Sequence, residues 1–200
     1  MGDEFNIKLT PIGDGAVGKT SILTSYTQGE VKDTYEPTVF DNYSTSVNVN
    51  GEKITLSLAD TAGQEDFESL RHLSYPGTDV FFVVFSVDNR VSFENAKQKW
   101  IPEIQDKKKV KDSLGAPIIV IGNKTDLRQM GGDCVTADEG EAMVRALKAT
   151  GKVPEKATIK YMECSALKND GVRPIFEEAI KLRLVARAKA NKKKSKCTIM

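Results

Sequence analysis

Short apolar runs alternate with amphipathic stretches along this chain, the pattern of a parallel sheet covered by helices on both faces. The predicted strands are Phe5–Ile12, Asp41–Val49, Lys53–Ala59, Asp79–Val87, Pro117–Gly122 and Thr158–Cys164. The predicted helices run from a Gly-rich turn to about Tyr26, and over Ser92–Asp106, Thr136–Thr150 and Gly171–Ala190, with Ser92 and Thr136 as N-caps. Asn50-Gly51 predicts a hairpin between the second and third strands. We expect an α/β fold with a six-stranded, mostly parallel sheet and one antiparallel edge strand, whose ligands bind beyond the carboxyl ends of the strands.

Length and charge indicate one domain followed by a basic tail. The 200 residues suffice for a single core, and we place the domain at 1–188 and the tail at 189–200, with disorder expected from Asn191. Six cations and no acid lie from Arg187 onward, which leaves five net negative charges on the body. This distribution argues against nucleic-acid binding by the fold and favours a separate partner for the tail. Three cysteines at unrelated spacings favour neither disulfides nor zinc, and no signal peptide is recognised, so we expect a cytosolic monomer.

The segment Gly13–Thr20 (GDGAVGKT) has the spacing of a phosphate-binding loop between a predicted strand and a predicted helix. Its glycines let backbone N–H groups surround phosphates at the positive end of the helix. Lys19 is expected to reach the β- and γ-phosphates and the Thr20 hydroxyl to bind Mg²⁺. The alternative is a Gly-rich turn with a chance lysine. The expected phosphate-lining residues are Gly13, Gly15, Ala16, Val17, Gly18, Lys19, Thr20 and Ser21.

A second polar segment, Asn123–Asp126 (NKTD), follows the buried strand Pro117–Gly122 and predicts guanine recognition. The Asp126 carboxylate can accept both guanine N–H groups, whereas adenine presents a lone pair there, so discrimination of about 10⁴ is expected. The loop after the last strand would offer a backbone N–H to guanine O6. Alone, each segment could be an ordinary polar turn. The expected base-contacting residues are Asn123, Lys124, Asp126, Ser165, Ala166 and Leu167.

Asp60–Gln64 (DTAGQ) ends another strand and predicts the metal and water side of the site. Asp60 is expected to hold Mg²⁺ through a water, together with Thr20 and Thr38. The Gly63 N–H can bond a γ-phosphate, and Gln64 can orient an attacking water. No residue is a nucleophile, so Gln64, Lys19 and Thr38 would act by positioning and charge neutralisation. Loss of the γ-phosphate would release the loops of Thr38 and Gln64, an order–disorder switch.

The blocks GDGAVGKT, YEPTVFDNY, DTAGQEDFESLRHLSYPGTD, NKTDLR and ECSAL together resemble the Rho family of small GTPases, within the Ras superfamily, over Phe5 to Met200. The resemblance implies the P-loop NTPase G domain, a GTP/GDP switch with Mg²⁺, slow hydrolysis, and effectors that are typically cytoskeletal. It also implies exchange factors, GTPase-activating proteins and a dissociation inhibitor. Tyr35 would close over the phosphates in the GTP state, with Pro37 beside it. The implied effector and switch residues are Tyr35, Glu36, Pro37, Thr38, Val39, Phe40, Asp41, Phe67 and Leu70.

The chain departs from this family at several positions. Val31 stands where the family has an aromatic ring over the guanine, so we expect faster nucleotide release. Gln129–Cys134 is too short for the family's insert helix, and Ala59 replaces a common tryptophan that helps select exchange factors. An expansion at Gly151–Ala157 has no functional interpretation.

The last four residues, Cys197–Met200 (CTIM), fit a prenylation signal on Cys197. One lipid holds a protein on membranes only weakly, and the tail lysines would add about 1 kcal/mol each near an anionic leaflet. We therefore expect attachment to the inner face of the cell membrane, a cytosolic pool and cytoskeletal association. The alternative is a solvated basic tail with a chance cysteine.

Two other functions stay open. One is a nucleotide-loaded adaptor that barely hydrolyses GTP, which fast exchange through Val31 would favour. The other is a metabolic kinase, which the sequence disfavours because it offers no evident acceptor site and carries NKTD.

Overall fold

The computed structural model describes residues 5–29, 40–49, 51–61, 68–151 and 158–197, with the backbone alone at 40–41, 61, 68–70, 107, 111 and 188–197. Six strands form one sheet in the order β2-β3-β1-β4-β5-β6. β2 and β3 pair antiparallel and every other pair is parallel, which confirms the predicted sheet with one antiparallel edge strand.

The strand bounds lie close to those predicted. The strands are β1 Phe5–Ile12, β2 Phe40–Val49, β3 Glu52–Thr61, β4 Val80–Ser86, β5 Ile118–Asn123 and β6 Ile159–Glu163. The α-helices are α1 Lys19–Gln28, α2 Glu68–Leu73, α3 Arg90–Asn95, α4 Ile101–Glu103, α5 Lys107–Val110, α6 Ala137–Ala149 and α7 Val172–Cys197. A π-helical segment, Ala96–Trp100, joins α3 to α4, and 3₁₀ turns cover Lys111–Ser113 and Thr125–Met130.

The sheet has a packed apolar core on each face. Every residue of β4 and of β5 is buried, as expected of central strands covered on both sides. On one face α1 and α7 pack against the sheet, where Tyr26 stacks on Phe176 with ring centroids 3.7 Å apart. On the other face the side chains of α3, the π-helical segment and α6 form the second core. The two cores make the sheet a rigid platform for the loops at its edge.

The two predicted N-caps differ in outcome. Thr136 caps α6 in a capping box, since its hydroxyl accepts from the Glu139 N–H and the Glu139 carboxylate accepts from the Thr136 N–H, which confirms the prediction. The prediction of Ser92 as a cap is wrong: the N-cap of α3 is Asn89, three residues earlier, and its side chain accepts from the Ser92 N–H. The Ser92 hydroxyl instead donates to the Asn89 carbonyl at 2.7 Å.

The C-terminal helix extends further than the sequence predicts. α7 continues past Ala190 to Cys197, so the prediction of disorder is wrong for residues 191–197, and residues 198–200 lie outside the described part. Lysine and alanine are good helix formers, and adding residues to an existing helix avoids the cost of nucleation. The helix therefore continues although its last residues lack apolar periodicity.

Between Met130 and Ala137 the described chain has no helix, which agrees with the predicted loss of the insert helix. The predicted expansion Gly151–Ala157 is outside the described residues except for Gly151. Over the part that the structure describes, no helix combines the length and apolarity needed to cross a membrane.

Candidate functional site

The carboxyl ends of the parallel strands bring the predicted site segments to one edge of the sheet. Gly13–Thr20 joins β1 to α1, Asp60 lies near the end of β3, and Asn123 ends β5. Ser165 follows β6. β1 lies between β3 and β4, so the strand order reverses at β1: β2 and β3 lie on one side of it and β4 to β6 on the other. A crevice for ligand is expected where the strand order reverses.

Two glycines fit the Gly13–Thr20 loop tightly against its neighbours. Gly13 has φ +149°, and a Cβ there would lie 2.1 Å from the Val84 carbonyl oxygen of β4. Gly18 has φ +92°, and a Cβ there would lie 2.3 Å from Nδ2 of Asn123. Any side chain at either position would clash and strain the backbone, so the loop backbone is held close to β4 and β5. Ala16 also adopts a left-handed φ of +60°, a conformation that non-glycine residues seldom keep without a functional reason.

The Lys19 ammonium lies inside this loop. Its Nζ donates to the Gly13 carbonyl at 3.0 Å and to the Asp14 carbonyl at 2.7 Å, and the residue is only 6% exposed. Burial lowers the pKa of Lys19 from 10.5 to about 8, while the carboxylates of Asp60 and Asp14 oppose the shift and Arg71 adds to it. A buried cation with a lowered pKa is stabilised by an incoming anion, so the loop fits a phosphate group.

Raising the pH above about 8 is expected to weaken GDP binding by the nucleotide-free protein. Phosphate oxygens favour the charged ammonium, so binding raises the Lys19 pKa and takes up a proton wherever the free protein holds the neutral amine. The affinity should be flat below about pH 8 and fall by up to about tenfold per pH unit above it. The dissociation constant is to be measured from about pH 7 to about pH 9.

Folding of the nucleotide-free protein should respond to pH in the opposite sense. The unfolded chain has a Lys19 pKa of 10.5 and binds more protons between about pH 8 and 10.5, so Lys19 adds to the free energy of unfolding as the pH rises through that window. Lys19→Arg keeps a charge at every pH used and should remove both dependences. A wild-type affinity that stays constant to about pH 9 would contradict the assignment.

Thr20 and Asp60 form the oxygen donor pair expected for a metal. The Thr20 hydroxyl donates to Asp60 Oδ2 at 2.6 Å, and Asp60 is fully buried. Hydroxyl and carboxylate oxygens suit Mg²⁺, so Thr20 would bind the ion directly and Asp60, hydrogen-bonded to Thr20, would hold it through a water. Thr38, the third expected metal ligand, is outside the described residues.

Asn123 joins the phosphate loop to the two loops expected to hold the base. Its Nδ2 donates to the Val17 carbonyl at 2.9 Å, and its Oδ1 accepts from the Ala166 N–H at 3.1 Å. The Cys164 thiol also donates to Oδ1, at 3.4 Å, and burial raises the pKa of that thiol to about 12. Asn123 is therefore a brace between three segments, and the base itself would have to share the Ala166 N–H with it.

Asp126 is held by the loop after β6. The Ser165 hydroxyl donates to Asp126 Oδ1, and the same hydroxyl accepts from the Lys168 N–H at 3.2 Å. Lys124 has a left-handed φ of +64°, which turns the chain sharply between Asn123 and Asp126. Leu167 is half exposed beside them. The structure thus brings together all six residues expected to contact the base.

An ion pair that sequence reasoning missed clamps the two base loops together. Arg128 donates to both carboxylate oxygens of Glu163, at 2.7 and 2.6 Å, and to the Val135 carbonyl. Tyr161 donates to Glu163 Oε1 at 2.5 Å, and the hydrogen bonds from Arg128 and Tyr161 hold the pKa of Glu163 below its usual value against burial. Both charged residues lie in the motif blocks NKTDLR and ECSAL, so their opposite charges were the available signal.

Most predicted switch residues are outside the described part of the chain. The switch residues outside it are Tyr35, Glu36, Pro37, Thr38, Val39 and Phe67, and the predicted site residues Val31, Gly63 and Gln64 also lie outside it. Phe40 and Asp41 begin β2, and Leu70 lies in α2, each described by its backbone alone. The His72 Nε2 lies 3.4 Å from Glu103 Oε1.

The sheet order and the loop between β1 and α1 are those of a P-loop NTPase, and the family comparison decides between its branches. The model of the Ras family matches residues 8–184. The chain belongs to the Ras family. As a Ras-family small GTPase it has the G-domain fold, binds GTP and GDP, generally with Mg²⁺, and hydrolyses GTP. Proteins of this family act as switches with effectors, exchange factors and activating proteins.

Proposed function

We propose that this Ras-family GTPase is a membrane-anchored switch of the Rho type, whose GTP state binds effectors that control the actin cytoskeleton. The switch mechanism is supported by three features at the carboxyl edge of the sheet: the buried Lys19, the Thr20–Asp60 pair and the Asp126–Ser165 pair. Together with Asn123, we call these residues the edge cluster. The Rho-type output is supported by the sequence block Tyr35–Tyr43, YEPTVFDNY.

The residues of the edge cluster have separate roles in this proposal. Lys19 and the loop N–H groups from Gly13 to Ser21 neutralise and orient the phosphates. Asp126, oriented by Ser165, accepts the guanine N–H groups, and Asn123 keeps the base loops in register with the phosphate loop. Gln64 orients the attacking water and Gly63 bonds the γ-phosphate. Thr20 and Thr38 directly, and Asp60 through a water, would hold Mg²⁺, which would neutralise charge on the phosphate oxygens.

The Rho-type output is tested by effector capture. The protein, loaded with GDP or with a non-hydrolysable GTP analogue, is presented to isolated GTPase-binding domains of Rho-type and of Ras-type effectors. Binding of Rho-type domains in the GTP-analogue state alone supports the proposal. Capture only by Ras-type domains, or equal capture in both states, contradicts it.

Val31→Phe is expected to slow GDP release several-fold. An aromatic ring at this position would stack on the guanine face, which valine cannot do comparably, and base stacking on aromatic side chains adds about 1–3 kcal/mol elsewhere. Release of a fluorescent GDP analogue with excess Mg²⁺ measures the change, and Val31→Leu controls for size. If both variants release GDP at the wild-type rate, Val31 does not set exchange.

Val31 also favours a second candidate function, that of a nucleotide-loaded adaptor. If wild-type release is faster than hydrolysis, the protein stays mostly GTP-loaded in cells, where GTP exceeds GDP, and acts more as a nucleotide-loaded adaptor than as a cycling switch. The ratio of the two rates decides between these functions.

Cys197→Ser is expected to leave the protein in the cytosol. Prenylation of Cys197 supplies one membrane signal, and the lysines at 192–194 and 196 supply a second worth about 1 kcal/mol each on an anionic surface. Fractionation of cells expressing the tagged full chain measures the membrane share, and a quadruple lysine-to-glutamine variant should show partial loss. Unchanged membrane association of Cys197→Ser would refute the lipid anchor. The same proposal includes a cytosolic pool of the protein, held by a dissociation inhibitor.

A further inference from the structure

The carboxylate of Asp14 is bound by a helix on the far side of the phosphate loop. Asp14 Oδ1 accepts from Trp100 Nε1 at 2.7 Å, and Oδ2 accepts from Asn95 Nδ2 at 2.8 Å. Both carboxylate oxygens are thus held by side chains that lie 81 and 86 residues along the chain. Asp14 is therefore fixed from outside its own loop.

The π-helical segment explains how one carboxylate can reach both donors. Asn95 and Trp100 are five residues apart, which on a regular α-helix would separate them by about 140°. Over Ala96–Trp100 the helix is widened, and the Ile101 N–H donates to the Ala96 carbonyl five residues back. Five residues then span close to one full turn, so the two side chains share a face. Such widened turns are frequent at functional sites.

The indole of Trp100 has little freedom to move away from Asp14. Trp100 is fully buried, and a buried indole N–H needs an acceptor, which Asp14 provides. The Arg71 guanidinium of α2 lies over the ring, 4.8 Å from its centroid. Arg71 Nε pairs with Glu103 Oε1 at 3.2 Å, and Tyr75 donates to the same oxygen at 2.5 Å. The ring is therefore packed between α2 and the phosphate loop.

Asp14 connects this arrangement to the ammonium of Lys19. The Asp14 backbone carbonyl accepts from Lys19 Nζ at 2.7 Å, while the Asp14 side chain is held by Trp100 and Asn95. A shift of Asp14 would move a carbonyl that helps to place Lys19. Trp100 is thus linked to Lys19 through Asp14 alone: the indole N–H donates to the Asp14 carboxylate, and Lys19 Nζ donates to the Asp14 carbonyl.

We propose that Trp100 is a positioning residue of the phosphate loop, which acts through Asp14 to hold nucleotide; this rests on the proposed role of Gly13–Ser21 in phosphate binding. The hydrogen bond from the indole N–H keeps the loop in its binding conformation. Its loss speeds nucleotide release and leaves the guanine preference unchanged, because among the described residues the Trp100 N–H donates to Asp14 and not to the base loops. Trp100 as simple core packing would instead affect stability alone.

The test is a double-mutant cycle between Trp100→Phe and Asp14→Ala, read as release of a fluorescent GDP analogue. Phenylalanine keeps an apolar ring and lacks only the N–H and part of the ring surface. A hydrogen bond to a carboxylate corresponds to about tenfold in a rate or affinity, so Trp100→Phe should speed release by about that factor. In the Asp14→Ala background the same change should have less than about a twofold effect, because the acceptor is gone.

Phe93→Leu is the matched control. Phe93 lies on α3 in the same core, with its ring 5.0 Å from that of Phe85, and it has no side-chain hydrogen-bond donor for Asp14. It should lower the melting temperature as Trp100→Phe does and leave the release rate at the wild-type value. If Trp100→Phe does not fold, Asn95→Ala, which removes the second donor, takes its place in the cycle.

Trp100 is the only tryptophan of the chain, so its emission reports this contact directly. Asp14→Ala should shift the emission of the folded, GDP-loaded protein, because the indole N–H loses its acceptor. The proposal is overturned if Trp100→Phe releases GDP at the wild-type rate. It is also overturned if Trp100→Phe speeds release equally with and without Asp14, or if Phe93→Leu speeds release as much. Wild-type nucleotide affinity in Lys19→Met would instead overturn the proposed role of the loop itself, whatever Trp100 does.

Discussion

Asp126→Asn is expected to lower the affinity for GDP by about 10³-fold or more. The carboxylate held by Ser165 would accept two N–H groups of guanine, whereas an asparagine amide would accept one and oppose its own N–H groups to the other. The loss of affinity is large because, when guanine binds, the amide N–H of the new asparagine faces a guanine N–H and neither donor has an acceptor. Equilibrium competition against a fluorescent GDP analogue measures it.

The same substitution should improve binding of xanthosine diphosphate. Xanthine keeps the ring N–H and presents an oxygen where guanine has its amino group, so the asparagine amide can accept from one and donate to the other. Asp170→Asn is the matched control, since Asp170 is an exposed carboxylate on the adjacent loop and joins Ser165 through backbone hydrogen bonds only. A GDP affinity of Asp126→Asn within about threefold of wild type would show that Asp126 does not read the base.

Lys19→Met is expected to lower the affinity for GTP and GDP by about 10²–10³-fold while the protein stays folded. Methionine removes the ammonium that would neutralise the phosphates, and it keeps most of the apolar stem. Burial already disfavours the charged form of Lys19 in the nucleotide-free protein, as its lowered pKa shows, so the melting temperature of that state should not fall.

A loss of nucleotide affinity without a loss of stability makes this prediction specific. Lys168→Met, which removes an exposed lysine next to the base loop, should change neither quantity. Nucleotide affinity and melting temperature are measured on the same preparations. A joint loss of both in Lys19→Met would indicate a structural role for the lysine.

The fold could be predicted from the sequence because its signals are local. The apolar runs of β4 and β5 and the hairpin turn before Gly51 fix strand number and direction, and Gly13–Thr20 fixes the first strand-to-helix turn. The start of α3 was predicted wrongly because Asn89 and Ser92 are both good caps, and the choice depends on how the chain leaves β4. The end of α7 was predicted too early because helix propensity continues where apolar periodicity stops.

The candidate site was predictable in its motifs and not in its supports. Lys19, Asp60 and Asp126 lie in spacings that have one chemical interpretation when they occur in this order. The supports join residues far apart in sequence: Arg128 with Glu163, and Asp14 with Trp100. No local sequence pattern shows that the helix widens over Ala96–Trp100. The contact of Trp100 with the phosphate loop could therefore be found only from the structure.

The most direct test of the central claim is single-turnover hydrolysis by the wild-type full chain, started by adding Mg²⁺ to protein loaded with γ-labelled GTP or ATP. GDP release is followed in the same samples. We predict phosphate release from GTP alone, dependent on Mg²⁺, at about 10⁻⁴ to 10⁻² s⁻¹ without an activating protein. Bound GTP that stays intact with Mg²⁺, or ATP that is bound and hydrolysed as well as GTP, would contradict the account of this chain as a guanine-nucleotide switch.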